Sequence, residues 1–416
     1  MIALFAMIAF VTNLCSPMGV IVKNQFGTTN FMAMIGNYGN FMAYLVMGFP
    51  AGMCIQKYGY KKTALIGLLV GIVGILVQWL SGWGGMAVYL VGALISGCCM
   101  CILNTVVNPM LNLLGGGGNK GNQLIQTGGV FNSSAAVAVY IIMGALIGDA
   151  AKAKIADATP ALMIALAIFV IAFIVIFFTK IEEPVQPKKE TAKQKDEHSA
   201  FSFRHFNLGI LAIGLYGGVE MGIPGFILQY LTAAPDAATP GLAMDAGYAG
   251  TLGSIYFLLM LVGRFIGASV GAKVSTKAMM TFVAGLAIVL LLLGIYLPTS
   301  TTVSVPGIDY AYMKVMWGEV PVGIFCFLLV GLCASVMWGG IFNLATEGLG
   351  KYTAIASGAF MTMVCGFAIM VAVQGWVADI TGSYLTSYWV PLLCAAYILY
   401  YALIGSKNVN TDIPVD

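Results

Sequence analysis

Apolar residues in this chain run in long stretches, separated by short clusters of Gly, Pro, Lys, Asp and Asn. A helix that crosses a bilayer needs about 20 apolar residues, and stretches of this length recur along the whole chain. They predict spans at 2–22, 31–55, 63–81, 86–112, 122–148, 159–179, 206–232, 246–270, 278–297, 320–346, 353–378 and 386–405. The fourth, fifth, seventh, tenth and eleventh are long, which predicts tilted helices. The first opens without a basic leader or a small-residue cleavage motif, so it reads as a span rather than a cleaved signal. The expected fold class is an all-α integral membrane protein.

Composition agrees. The chain is 60% hydrophobic and 8% charged, whereas a soluble domain is about 45–50% apolar and about 25% charged. The partner this implies is the lipid bilayer. The only arginines are Arg204 and Arg264, so nucleic-acid binding has no support. With twelve spans, fifteen of the nineteen Lys and Arg residues fall on the side of both termini. Lys23, Lys152, Lys154 and Lys314 fall on the other. The positive-inside rule makes the richer side cytoplasmic, and a missed span would destroy the asymmetry.

Residues 181–205 form the longest charged segment and read as a solvated cytoplasmic linker. Both histidines, His198 and His205, fall within it. The linker divides the chain into a bundle at 1–180 and a second at 206–416. A weak repeat supports the division: Asn112-Leu113-Leu114 is followed by glycines and Lys120, and Asn343-Leu344-Ala345 by Gly348, Gly350 and Lys351. The cysteines lie in or beside apolar spans and read as small hydrophobes. Cys98, Cys99 and Cys101 lack partners at metal-ligand spacing, so no metal site is expected. Gly115 to Gly118 lacks the Lys-Ser/Thr of a phosphate loop.

Glu220 departs from this pattern. It sits midway along the apolar run from Leu208 to Leu231, where a carboxylate costs roughly 2.5–3.5 kcal/mol to insert. Such a residue is a functional hypothesis by default. Gly217, Gly218, Gly222, Pro224 and Gly225 surround it and predict a loosened helix with freed carbonyls.

Several segments carry a family resemblance. Gly52 to Lys62, GMCIQKYGYKK, resembles the major facilitator superfamily signature between helices 2 and 3, with Gln56 in place of the usual Asp. Arg264 in GRFIG resembles its counterpart in the second half. LNTVVNP (Leu103 to Pro109) is similar to the LETAANP segment of the fucose permeases. YGGVEMGIPGF (Tyr216 to Phe226) and IFNLATEGLGKYTAIASG (Ile341 to Gly358) are similar to segments of the glucose/galactose permeases. With QGWVAD (Gln374 to Asp379), both halves resemble the fucose:proton symporter family. Two carboxylates linked with proton coupling in fucose permeases are replaced by Asn104 and Ser16, which leaves Glu220.

The resemblance implies the major facilitator fold: twelve transmembrane helices in two pseudo-symmetric six-helix bundles, in a bacterial inner membrane. It implies a monomeric hexose or deoxyhexose transporter working by alternating access, without a cofactor other than a coupling proton or sodium ion. An uncoupled sugar facilitator is the alternative. An intramembrane enzyme or a sensor finds no paired catalytic groups or output domain here.

Sugar hydroxyls call for side chains that both donate and accept, and for aromatic faces. Asn104 and Asn108, four apart on one face, Gln126, Asn132 and Asn13 are the expected substrate contacts, with Trp338, Gln374 and Glu220 itself. Each amide reads equally as an interhelical hydrogen bond. Three readings stand for Glu220 beyond that contact: a proton carrier, a sodium ligand and a structural acid.

Overall fold

A computed structural model describes residues 1–26, 30–147, 154–181, 198–309, 314–410 and 412–415. In chain order the helices and strands are α1 (Ile2–Phe26), α2 (Asn30–Leu114), α3 (Gly118–Ile147), α4 (Ile155–Phe178), α5 (Arg204–Gly217), a π-helical turn (Gly218–Gly222), α6 (Ile223–Thr232), α7 (Ala246–Val270), α8 (Thr276–Tyr296), β1 (Thr302–Asp309), β2 (Lys314–Pro321), α9 (Val322–Ala334), α10 (Met337–Thr346), α11 (Thr353–Thr362), α12 (Gly366–Thr381), α13 (Tyr384–Ser387) and α14 (Trp389–Tyr400). Most of the expected linker, 182–197, lies outside the described residues.

Eight stretches among the described residues are long and apolar enough to cross a membrane. The first of these, Asn40–Leu114, lies in α2, whose helical path breaks twice, at Gly59 (φ 83°) and Gly85 (φ 79°). A side chain with a Cβ is strained at those angles, so glycine sets the break points between the expected second, third and fourth spans. Just beyond Gly59, Lys61 donates from Nζ to the Phe177 and Thr179 carbonyls (3.0 and 2.8 Å). These carbonyls close the C-terminal end of α4, where a cation is favoured.

The chain forms two compact units: one of Met1–Phe206, Thr346–Cys365 and Asn408–Asp416, the other of Asn207–Ala345 and Gly366–Lys407. This differs from the expected division at the linker, because 346–365 and the C-terminal tail belong to the first unit. The physical reason is close packing in that unit. A Cβ on Gly52 would lie 2.9 Å from the Ala354 carbonyl and 3.2 Å from the Gly358 Cα. A Cβ on Gly358 would lie 2.9 Å from the Gly52 Cα. Without side chains, α2 and α11 meet backbone to backbone, which is how small residues drive helix association in membranes. Gly358→Val is expected to lower the thermal midpoint in detergent, since overpacking costs about 1–3 kcal/mol and backbone cannot step aside. An unchanged midpoint would contradict the contact.

In the second unit, Tyr216, Tyr256, Phe327 and Tyr388 are fully buried, and Phe327 stacks on Tyr388 at 3.8 Å between ring centroids. Two expected continuous spans are interrupted. The tenth divides into α9 and α10 at Ser335–Val336, and a 3-10 turn at Met363–Cys365 separates α11 from α12. Residues 298–319 carry no expected element, yet β1 and β2 pair antiparallel from Thr302↔Pro321 to Asp309↔Lys314. The Tyr248 hydroxyl at the start of α7 reaches the Val305 carbonyl at 2.8 Å and the Gly318 carbonyl at 3.1 Å, one from each strand. On the hairpin's other face Trp317 is 68% exposed.

Candidate functional site

Glu220 lies in the π turn between α5 and α6, and it is not alone. Its Oε1 stands 3.6 Å from Nη2 of Arg264 on α7, with the two side chains 13% and 11% exposed. This corrects the sequence reading, which counted Arg264 among the cytoplasmic charges and left Glu220 as the one ionisable group mid-span. A carboxylate taken out of water is tolerated where a cation meets it.

The pair is bounded by helix breaks. Tyr216 lies one turn before Glu220 and is fully buried. It donates to the Ala334 carbonyl at 3.0 Å. Arg264 donates from Nε to the Ser335 carbonyl at 3.4 Å. These two carbonyls sit where α9 gives way to α10. The ion pair, a tyrosine and the open end of one helix therefore form a single polar cluster inside an apolar unit. Broken helices in membranes are tolerated where buried partners satisfy the freed backbone.

Trp338 and Gln374 belong to the same unit. Trp338 is half-buried and packs against Tyr216 and Phe367, with ring centroids at 6.5 and 6.1 Å. Gln374 on α12 is fully buried; its Nε2 lies 3.4 Å from the Ser387 hydroxyl, and its Oε1 has no hydrogen-bond partner among the described residues. That oxygen occupies the space a Cβ on Gly222 would need.

The remaining amides lie in the first unit. Asn104 donates from Nδ2 to the Tyr44 hydroxyl at 2.9 Å, and Asn108 donates to the Asn104 carbonyl at 2.9 Å. The shared face expected from their spacing is thus a connected chain with Tyr44, all of it buried. Gln126 is buried one turn from Asn122, 3.5 Å from its Oδ1. The Asn122 Nδ2 is buried without a partner among the described residues. Asn132 donates to the Phe5 carbonyl at 2.8 Å and so ties α3 to α1. The side chain of Asn13 lies outside the described residues.

Against known proteins, the family model described as Major Facilitator Superfamily matches residues 1–373. The chain belongs to the Major Facilitator Superfamily. It is 30% identical over 414 residues to the glucose/galactose transporter of Brucella abortus, covering 97% of this chain and 93% of that one. It is 23% identical to the L-fucose-proton symporter of Escherichia coli, covering 98% and 92%. The crystal structure of the E. coli fucose:proton symporter superposes with a TM-score of 0.78 at 21% identity, over 98% of each chain.

In this superfamily member, sequence reasoning missed Arg264 as a partner, together with Tyr44, Tyr216 and Tyr256. A basic residue near the end of an apolar run reads as reaching for the membrane surface. Nothing in the sequence reading gave the tyrosines a role. The usable signal was the separation of Tyr216 and Glu220, four apart on one helix face beside an intramembrane acid. His205, expected in the linker, is instead fully buried in the first turn of α5, with Nε2 3.0 Å from the Glu347 carbonyl.

Proposed function

We propose that this protein carries a hexose or deoxyhexose across a bacterial inner membrane as a proton-coupled symporter. Two six-helix bundles of twelve transmembrane helices alternate in access, with both termini cytoplasmic and the protein a monomer in lipid. The observation that carries this reading is the Glu220–Arg264 pair, the one ion pair found within membrane-spanning helices among the described residues. The full-length likeness to glucose/galactose and fucose transporters supports the substrate class. The buried amides Asn104, Asn108, Gln126 and Gln374 and the half-buried Asn132, together with Asn13, Glu220 and Trp338, are the substrate contacts in this reading. They offer the paired donors and acceptors, and the aromatic face, that a polyhydroxylated ring requires.

Between proton and sodium, the guanidinium favours the proton. A metal cation at Glu220 would face Arg264 across the same carboxylate, and like charges at such range repel. A proton adds no second cation; it neutralises the carboxylate and releases Arg264 to other acceptors, among them a sugar hydroxyl. The uncoupled facilitator remains the second reading, because an ion pair whose arginine is also held by the Ser335 carbonyl can serve structure alone.

Purified protein in proteoliposomes separates these readings. Labelled galactose, glucose and fucose are offered with an inward pH gradient, an inward sodium gradient, or neither. Accumulation above equilibrium is expected with the pH gradient only. Equilibration that ignores both gradients would leave the facilitator. A thermal-shift screen in which no sugar raises the midpoint would count against the substrate class itself.

A further inference from the structure

The π turn that carries Glu220 has an orphaned acceptor, and the structure shows what fills it. A π-helical bond closes from residue i+5 to residue i. For Val219 that donor is residue 224, which is Pro224 and has no N–H. A buried carbonyl without a donor is costly in an apolar surround. Tyr256 on α7, fully buried, donates its hydroxyl to the Val219 carbonyl at 2.7 Å. One turn on, the Tyr388 hydroxyl donates to the Ile223 carbonyl at 3.1 Å. Gly218 and Gly222 leave room for the neighbouring helices here: a Cβ on Gly218 would lie 3.0 Å from the Cys394 sulfur, and one on Gly222 would run into Gln374.

From this geometry we infer that Tyr256 stands in for the missing Pro224 N–H, holds the π turn open and thereby fixes the direction of Glu220 toward Arg264. Tyr256 is a positioning residue for the proton-carrying acid, and the inference rests on the coupling role proposed for Glu220. Tyr256 and Arg264 lie on the same helix, two turns apart, so α7 supplies both the cation that meets the carboxylate and the hydroxyl that shapes its backbone. The titratable and charged groups around this cluster are Arg264 and Tyr256 on α7, Tyr216 on α5, Cys333 on α9, Tyr388 after α13 and Cys394 on α14. Of these, only Arg264 carries a charge of sign opposite to Glu220.

The test pairs two readouts on the full-length protein, one of them independent of transport. In Tyr256→Phe, amide hydrogen exchange over 217–226 is expected to accelerate about tenfold or more, the size set by one buried carbonyl losing its donor. The pH profile of sugar uptake is expected to shift with it. The double variant Tyr256→Phe with Pro224→Ala restores the N–H at position 224, so the Val219 carbonyl regains its π-helical donor without the tyrosine. Exchange then slows again, and the pH profile returns toward wild type because the turn again aims Glu220 at Arg264. A Tyr256 role that does not run through the Val219 carbonyl predicts that Pro224→Ala rescues neither readout, and that result overturns the inference, as does a Tyr256→Phe protein with wild-type exchange. Wild-type uptake that ignores pH would instead overturn the coupling reading, whatever the exchange data show.

Discussion

Glu220→Gln is expected to abolish accumulation of sugar against its gradient while exchange of internal for external sugar continues. Glutamine keeps the length and planarity of the side chain, so the packing of the π turn survives. It loses the group that binds and releases a proton. In a symporter the bound proton makes the return of the empty carrier unfavourable, and without that step the gradient has no purchase. Accumulation ratios should fall to about unity, whereas exchange, which never needs the empty carrier to return, should stay within a few-fold of wild type, a loss under about 1 kcal/mol in the transition state. Counterflow and gradient-driven uptake on the same vesicles read the two quantities. Full accumulation by the variant would remove Glu220 from the coupling role. Loss of both activities together with a lowered thermal midpoint would make it a structural acid.

Arg264→Met is expected to cost more stability than either Glu220→Gln or Gly358→Val. Removing one partner of a buried ion pair leaves the other charge uncompensated, at about 3–5 kcal/mol in measured cases. With 11–13% of each side chain accessible, the lower end of that range applies. Arg264 also serves the Ser335 carbonyl at the α9–α10 break, so its loss opens a second unsatisfied group. Combining Arg264→Met with Glu220→Gln should recover much of the lost midpoint, since a neutral amide tolerates the apolar surround better than a carboxylate. Fluorescence-monitored unfolding of the four proteins forms a double-mutant cycle. If the two single changes are additive, the pair is not coupled and the site loses its electrostatic basis.

Much of the fold was legible because hydropathy over about twenty residues is a local property, and the membrane enforces it. Glu220 was legible for the same reason: one carboxylate stands out against an apolar run. The loosened backbone around it was also written locally, in Gly218, Gly222 and Pro224, and the structure places a π turn there. Arg264 was not legible as a partner. It sits near the end of its apolar run, where a cation normally reaches water, and what pairs it is a contact between two helices. The break at Ser335–Val336 was hidden likewise, since no proline or charge marks it. The hairpin at Thr302–Pro321 did leave a local trace, the alternation in Thr302-Val303-Ser304-Val305, which a search for twenty-residue runs passes over. Unit membership was illegible in principle. The meeting of Gly52 with Gly358 depends on which helices become neighbours, and glycines occur throughout this chain.

The Tyr248 hydroxyl has a mechanical consequence. It is shared between carbonyls of both hairpin strands, so the hairpin and the first turn of α7 move as one piece. Sixteen residues farther along the same helix, about 24 Å at 1.5 Å per residue, is Arg264. A rigid α7 therefore acts as a rod with a solvent-facing grip at Trp317 and the guanidinium on its shaft. An antibody fragment that seizes the hairpin would pull on the ion pair without touching it, and a fluorophore placed at Trp317 would report when the rod tilts.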